Sequence, residues 1–153
     1  MKNVARKCIL CGVLVFAFFT VSCFSAEVCE SQPGGSDVCS LVKEGRKLAK
    51  EKKYEEAIKI FAKAKEADPK SALPDTALGI MFLKMGEYAE AERYLHSAEL
   101  LDPNVAPVQY TLALLYEKQG KNQDAIKYWN KLYDNVDFRE SAIKHLKFLG
   151  VKK

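Results

Sequence analysis

The chain has 153 residues, 29% of them charged, and its formal net charge at neutral pH is +4. Three of the basic residues lie within residues 1–7, where there is no acid, so the rest of the chain carries 21 basic and 20 acidic side chains. A nucleic-acid-binding protein keeps a strongly basic face, so this near-balance argues against a nucleic-acid partner.

The N-terminus has the composition of an export signal. Residues 1–7 are basic, and residues 9–26 are almost entirely apolar and followed by small residues. This order predicts a secretory signal peptide over residues 1–22. An uncleaved anchor is the alternative, because about eighteen apolar residues are near the lower limit for spanning a bilayer. Either reading places the rest of the chain outside the cytoplasm, in the periplasm or on the outer face of a membrane.

Cys23 follows this apolar run in a distinctive setting. The stretch Thr20-Val21-Ser22-Cys23 resembles a bacterial lipoprotein processing site, with a small residue directly before the cysteine. The resemblance implies that Cys23 is acylated, which would tether the protein to the membrane through its N-terminus. Plain cleavage after Ser25 or Ala26 remains an alternative.

Residues 23–37 contain glycine, serine and proline without periodicity, so we predict a flexible linker there. Cys29 and Cys39 border this linker and could form a disulfide in an oxidising compartment, or remain two free thiols. A zinc site is not expected, because the chain has two histidines, His96 and His145, and no paired Cys/His spacing. We also expect His96 to be exposed, since it lies in a charged segment.

Residues 38–137 repeat one pattern three times at a constant offset, which is the separation of Ala57 from Ala91 and of Ala91 from Ala125. We call this offset the repeat period, and residues 38–71, 72–105 and 106–137 copies one, two and three. Each copy contains two helical segments with apolar residues at intervals of three and four, joined by a turn. The other recurring residues include Phe61, Leu95 and Trp129; Leu48, Phe82 and Tyr116; and the small set Gly45, Gly79 and Ala113.

Such helix pairs cannot bury their apolar stripes alone, so the copies must stack. The small residues at one register position predict a close approach of the two helices within each copy. Trp129 shares its position with Phe61 and Leu95, so we expect it in the core. Residues 138–149 then predict a capping helix, with Ala142, Ile143, Leu146 and Leu149 on its apolar face.

The repeated residues carry a family resemblance. Leu78-Gly79, Phe82, Ala91, Leu95, Ala98 and Pro103 resemble the pattern of a tetratricopeptide repeat (TPR), and copy three fills most of the same positions. The resemblance implies an all-α, right-handed α-solenoid of three helix hairpins plus the capping helix. Asp75 and Gln109 depart from the family pattern, because a bulky residue usually begins each first helix.

In this family the first helix of each pair lines a concave groove. Carried over by register, the residues that we expect in the groove are Arg46, Lys50, Ile80, Leu83, Lys84, Tyr110, Leu114 and Lys118. Glu117 falls on the same wall. The family's clamp for acidic chaperone tails uses lysine and asparagine on first helices. The matching positions here hold Val42, Arg46, Ala77, Pro107 and Thr111, so we predict that this clamp is absent.

We predict a scaffold that binds a protein or peptide in the groove, and self-association of the chain stays open. No nucleophile with a base, metal cluster or phosphate loop is legible in the sequence, so we expect neither an enzyme nor a cofactor. The alternative function is a periplasmic small-ligand carrier, or a transporter accessory protein, that uses the same concavity.

Overall fold

The computed structural model describes residues 35–151, and over this range the fold is all-α, without strands. The helices are α1 Gly35–Lys50, α2 Tyr54–Ala67, α3 Leu73–Met85, α4 Tyr88–Leu101, α5 Ala106–Lys118, α6 Asn122–Leu132 and α7 Arg139–Phe148. This arrangement confirms the predicted class of three helix hairpins followed by one further helix.

The hairpins α1–α2, α3–α4 and α5–α6 stack in chain order. Each second helix packs against the next first helix, so α2 contacts α3, α4 contacts α5 and α6 contacts α7. The first helices also contact one another, α1 with α3 and α3 with α5. The first helices therefore form one continuous wall, as expected for a solenoid in which each repeat contacts its neighbours.

The two helices of each hairpin approach closely at the small-residue position. A Cβ atom at Gly45 would lie 2.5 Å from Cε1 of Phe61, and one at Gly79 would lie 2.5 Å from Cγ of Leu95. Real Cβ contacts are not this short, so a larger residue at either position would require the opposing side chain or helix to shift. Ala113 is fully buried at the equivalent place. The predicted close approach is confirmed.

The core consists of two buried clusters. One is formed by copy one and α3, and the other by α4 to α7, with the partly buried Phe82 packed against both. Phe61, Leu95 and Trp129 are fully buried, as their shared register position predicts. The apolar stripes of all three copies are therefore joined through the stack.

The N-terminal boundary differs from the expectation by three residues. Helix α1 begins at Gly35, within the predicted linker. Asp37 lies in its first turn, where a negative charge interacts favourably with the positive end of the helix dipole. Cys39 is buried and disulfide-bonded. The predicted partner Cys29, the predicted lipidation site Cys23 and the leader lie outside the described residues, so those predictions stand as they were. None of the helices within residues 35–151 combines the length and apolar character needed to cross a bilayer.

Helix α7 departs from the predicted apolar face at one residue. Ala142 and Leu146 are buried, but Ile143 is 45% exposed. Ile143 lies one repeat period after Gln109 and two after Asp75, and Asp75 is covered from two sides by α2 and α4. Ile143 has α6 on one side, and no second helix follows α7 in the described part of the chain. Within the described residues, Ile143 is therefore covered on one side, whereas Asp75 is covered on two.

The same register explains why α7 can close the stack. Lys147 lies one repeat period after Ala113, at the position where Gly45 and Gly79 allow a second helix to come close. A lysine side chain at this position would hold a second helix away and is itself exposed to water. By register, α7 therefore corresponds to the first helix of a copy.

Candidate partner-binding groove

The predicted groove lies on the wall formed by α1, α3 and α5. Its four predicted apolar residues are all partly buried, and three of them, Leu83, Tyr110 and Leu114, pack against the larger core cluster. Ile80 packs against neither cluster. The apolar residues of the groove are therefore partly covered by the chain itself, and Ile80 is the one that packs against neither cluster.

Tyr110 marks the end of the groove nearest α7. Its ring meets the edge of Trp129, with centroids 5.4 Å apart, and a tilted Phe138 ring at 5.2 Å. Together with Asp137, Phe138 and Ser141 it lines a shallow cleft of about 360 Å³. The aromatic contacts fix the orientation of Tyr110, and the cleft extends the groove from α5 to the start of α7.

By register, Phe148 is a further candidate groove residue, which the sequence reasoning missed. It is 81% exposed and lies one repeat period after Leu114, at the register position that Ile80 occupies on α3. Ser141, which lines the cleft with Tyr110, precedes Phe148 by two helical turns and therefore lies on the same side of α7. One further step of the repeat period would have found Phe148 in the sequence.

The predicted cations divide into two groups. We call Lys50, Lys84 and Lys118 the rim lysines: they are exposed in the last turns of α1, α3 and α5, where they also balance the negative end of each helix dipole. Arg46 is partly buried, and burial lowers the pKa of its guanidinium below the ordinary value. None of these four side chains forms an ion pair or side-chain hydrogen bond within the described residues.

Glu117 is the one acid among the wall positions assigned by register, and its carboxylate is already engaged. It accepts a 2.6 Å hydrogen bond from Nε1 of Trp129 and lies 2.9 Å from Nδ1 of His145. The His145 ring also stacks on Trp129, with centroids 4.3 Å apart. These contacts attach α7 to α5 and α6.

The positions that correspond to the family's chaperone-tail clamp are largely closed. Val42, Ala77 and Thr111 are buried, and their side chains carry no positive charge. The hydroxyl of Thr111 donates a 2.7 Å hydrogen bond to the backbone oxygen of Pro107 on its own helix. Of the five clamp positions, only that of Arg46 holds a cation.

His96 lies away from the groove, on α4. The residue is partly buried, not fully exposed as expected: its side chain is 41% exposed, with Nε2 2.9 Å from the Tyr116 hydroxyl and Nδ1 3.2 Å from Glu99. In residues 35–151, no three His, Cys, Asp or Glu side chains are grouped so that they could hold a metal ion.

Comparison with known proteins agrees with this architecture. Two family models, both described as tetratricopeptide repeat, match residues 41–71 and 76–140. No curated protein sequence matches the chain.

Solved structures share the fold. The first TPR of Spaghetti (RPAP3), bound to the HSP90 peptide SRMEEVD, aligns with a TM-score of 0.68 and 21% identity, over 74% of this chain and 93% of that one. The second TPR domain of human RPAP3, in complex with the HSP70 peptide SGPTIEEVD, gives 0.65 and 24%, over 78% and 100%. Because the two family models together cover more than half of the sequence, the chain belongs to the tetratricopeptide repeat family.

Proposed function

We propose that this protein is an exported scaffold, tethered to a membrane through its N-terminus, that binds a peptide, a helix or a segment of a neighbouring protein in its groove. The observation that carries the proposal is the apolar surface along the first helices. Ile80 packs against neither core cluster, and Phe148 is largely exposed at the same register position. Exposed apolar surface on a groove of this kind normally marks an interaction site.

The solved neighbours support a peptide as the occupant. Two of them are complexes of TPR domains with peptides ending in EEVD. The clamp positions of this chain hold buried, uncharged side chains at Val42, Ala77 and Thr111. A shared fold with different groove chemistry favours a peptide partner of another sequence.

Export and tethering rest on the leader. The basic start, the apolar run and the lipoprotein-like Ser22-Cys23 junction all support them. Metabolic labelling with radioactive palmitate tests the tether directly. The wild type should incorporate label and Cys23→Ser should not; unlabelled wild type would contradict lipidation. The size of the mature chain would then distinguish cleavage after Ser25 or Ala26 from an uncleaved anchor.

The groove is tested by a double substitution that spares the core. Leu83 and Leu114 pack against the buried cluster, so charged substitutions there would combine loss of binding with loss of stability. Ile80→Glu with Phe148→Glu avoids that problem. The matched control is Leu100→Glu, because Leu100 is 85% exposed on α4, a second helix outside the groove.

Each tagged full-length variant is expressed in cells, cross-linked and recovered from membranes, and the captured proteins are quantified by mass spectrometry. We expect a set of partners that wild type and Leu100→Glu share and that Ile80→Glu/Phe148→Glu loses, while circular dichroism and thermal melting stay close to wild type. Equal capture by all three variants would overturn the groove assignment. Capture of a second, differently tagged copy of this chain would identify self-association.

A small-ligand carrier is the alternative, and the cleft beside Tyr110 is the feature that favours it. Its volume of about 360 Å³ lies at the lower end of the usual range for ligand sites. Native mass spectrometry of the purified protein separates the two functions. A retained small molecule that is lost in Tyr110→Ala would support the carrier, whereas bare protein would support the peptide scaffold.

A further inference from the structure

The two ends of the groove differ in chemistry. At one register position the wall presents Arg46 on α1, Ile80 on α3, Leu114 on α5 and Phe148 on α7. The rim lysines lie one helical turn further along α1, α3 and α5. The rim therefore carries a lysine on each of α1, α3 and α5. At the register position inside the rim, the side chain is a guanidinium on α1 and apolar on α3, α5 and α7.

Arg46 has an unusual environment for an arginine. Its side chain is partly buried, yet it forms no hydrogen bond or ion pair with another described residue. A guanidinium carries five N–H donors, and withdrawing them from water without acceptors costs free energy. A carboxylate from a bound partner would supply two acceptors in the matching planar geometry.

The surroundings favour an anion over a neutral acceptor. Lys50 lies one turn after Arg46 and has no acidic partner in the described part of the chain. Copy one as a whole contains ten basic and six acidic side chains, whereas copy two contains two basic and six acidic ones. At the other end, the Glu117 carboxylate contacts Trp129 and His145 and forms no ion pair with a rim lysine within the described residues.

We infer that the groove, in its proposed function, binds a segment with acidic residues at one end and apolar residues at the other. Its acidic end lies against Arg46 and Lys50, and its apolar end lies against α5 and α7, with Phe148 and the cleft beside Tyr110 as the last contacts. The inference rests on the proposed function and adds the chemistry and the direction of the bound segment.

Helix spacing sets the length of that segment. Packed helices lie about 8–10 Å apart, and an extended chain advances about 3.3 Å per residue, so every third residue of a bound strand faces the next first helix. The first helices that contact one another, α1, α3 and α5, would then accommodate roughly seven residues on the same spacing, and further residues of the segment would reach α7. The acids that face the rim are side-chain carboxylates within the segment, so a free chain end is not required.

A random 12-residue peptide library displayed on phage tests this directly, with each peptide fused at its C-terminus so that no terminal carboxylate is free. The bait is the purified full-length protein, and the selected peptides are sequenced. Three baits accompany the wild type: Arg46→Glu/Lys50→Glu, the groove variant Ile80→Glu/Phe148→Glu, and Lys59→Glu/Lys63→Glu. The last is the matched charge control, because both lysines are exposed on α2.

We expect the wild type and the α2 control to enrich peptides with Asp or Glu in one half and apolar residues in the other. Arg46→Glu/Lys50→Glu should lose the acidic half of this preference. The affinity of a selected peptide should fall roughly tenfold or more, since charge-assisted hydrogen bonds are lost. Arg46→Gln, which keeps most of the side-chain volume, should show a smaller loss in the same direction and guards against misfolding of the charge-reversed variant.

Other outcomes distinguish failure of this inference from failure of the proposed function. Enrichment of apolar peptides without acids, or an acid preference that survives Arg46→Glu/Lys50→Glu, would overturn the inference and leave the proposed function intact. Wild type that selects nothing beyond the Ile80→Glu/Phe148→Glu bait would overturn the proposed function itself. Exchanging the acidic and apolar halves of a selected peptide should weaken its binding, and equal affinity would refute the assigned direction.

Discussion

The junction between copies one and two and the junction between copies two and three use the same three register positions in different ways. At the first junction Asp75 is fully buried; it lies 2.8 Å from Nζ of Lys65 and accepts a hydrogen bond from the Ser97 hydroxyl. The residues one repeat period later are Glu99, Gln109 and Lys131. Here Glu99 pairs with Lys131 at 2.9 Å, and Gln109 donates to the backbone oxygen of Pro103.

This difference shows that the repeat register determines which positions bring polar side chains together. The residue types at those positions then determine how far the polar contact is shielded from water. The second junction is more open, and Gln109 and Lys131 line a surface cleft of about 490 Å³ there. Its ion pair keeps partial access to water on both partners. The first junction should therefore depend strongly on its ion pair, and the second only weakly.

The strongest test removes Lys65, the half-exposed cation that pairs with the fully buried Asp75. Lys65→Met leaves the Asp75 carboxylate without its counter-charge in a site that water does not reach. A buried carboxylate left without its counter-charge costs several kcal/mol, so we expect the free energy of unfolding to fall by about 3 kcal/mol. Urea denaturation followed by circular dichroism measures the change.

The control for this variant lies on the same helix. Lys63 is exposed on α2 and forms no hydrogen bond or ion pair among the described residues, so Lys63→Met should change the free energy of unfolding by less than about 0.5 kcal/mol. Similar losses in both variants would mean that the methionine, and not the unpaired carboxylate, is responsible.

A comparison of two substitutions at Asp75 gives the next largest effect. Asp75→Ala removes the buried acceptor of Ser97 and leaves a void, so we expect a loss of about 1–3 kcal/mol. Asp75→Leu fills the position with the bulky side chain that copy one has at Leu41, and Lys65 can turn to water. Apolar replacement of a buried pair is often near neutral, so its cost should be within about 1 kcal/mol.

Equal destabilisation by alanine and leucine, again followed by urea denaturation, would contradict this reasoning. It would indicate that the carboxylate itself, and not the filled volume, holds copies one and two together. A stable Asp75→Leu variant would instead show that the family's bulky residue fits here and that the ion pair is a substitute for it.

The order and packing of the helices can be predicted from the sequence, because the residues that recur at the repeat period are those needed for helix packing and for the core. Gly45, Gly79 and Trp129 each lie where the period places them, since close helix packing and core volume permit few residue types. Periodicity along the helices reports burial, and burial decides the fold.

The polar contacts are harder to predict from the sequence, because they join residues on different helices of neighbouring copies. Nothing in the local pattern around Asp75 indicates that Lys65 and Ser97 converge on it from two other helices. The partial covering of Leu83 and Leu114 was also missed, since a helical stripe does not show how far neighbouring helices reach over it. The Phe148 position, by contrast, needed only one more step of the period.

The second junction gives a smaller effect. Lys131→Met removes the partner of Glu99, but both side chains keep access to water, and the Tyr128 hydroxyl still donates to Glu99 at 2.9 Å. Exposed pairs contribute little, so we expect a loss of at most about 1 kcal/mol in urea denaturation. A loss as large as that of Lys65→Met would remove the contrast between the two junctions.

The smallest effect is the pH dependence of the second junction. Burial by itself raises the pKa of Glu99, but hydrogen bonds from Lys131 and Tyr128 and the charge of Lys131 outweigh it and hold the pKa below its ordinary value. A carboxyl group whose pKa is lower in the folded state stabilises the fold above the unfolded pKa of about 4.3, and this contribution is lost as the pH falls through the folded pKa.

Glu99→Gln cannot lose that contribution, so its melting temperature should fall less than that of the wild type between pH 7 and pH 3. Other carboxyl groups also become protonated over this range, and burial of Glu92 is likewise outweighed by hydrogen bonds that lower its pKa, so the difference between variant and wild type is the informative quantity. Glu66→Gln, an exposed change on α2, should follow the wild type. If Glu99→Gln also followed the wild type, the contacts of Glu99 with Lys131 and Tyr128 would contribute nothing to the stability of the second junction. The difference in stability contribution between this site and the buried Asp75 site would then be larger than we expect.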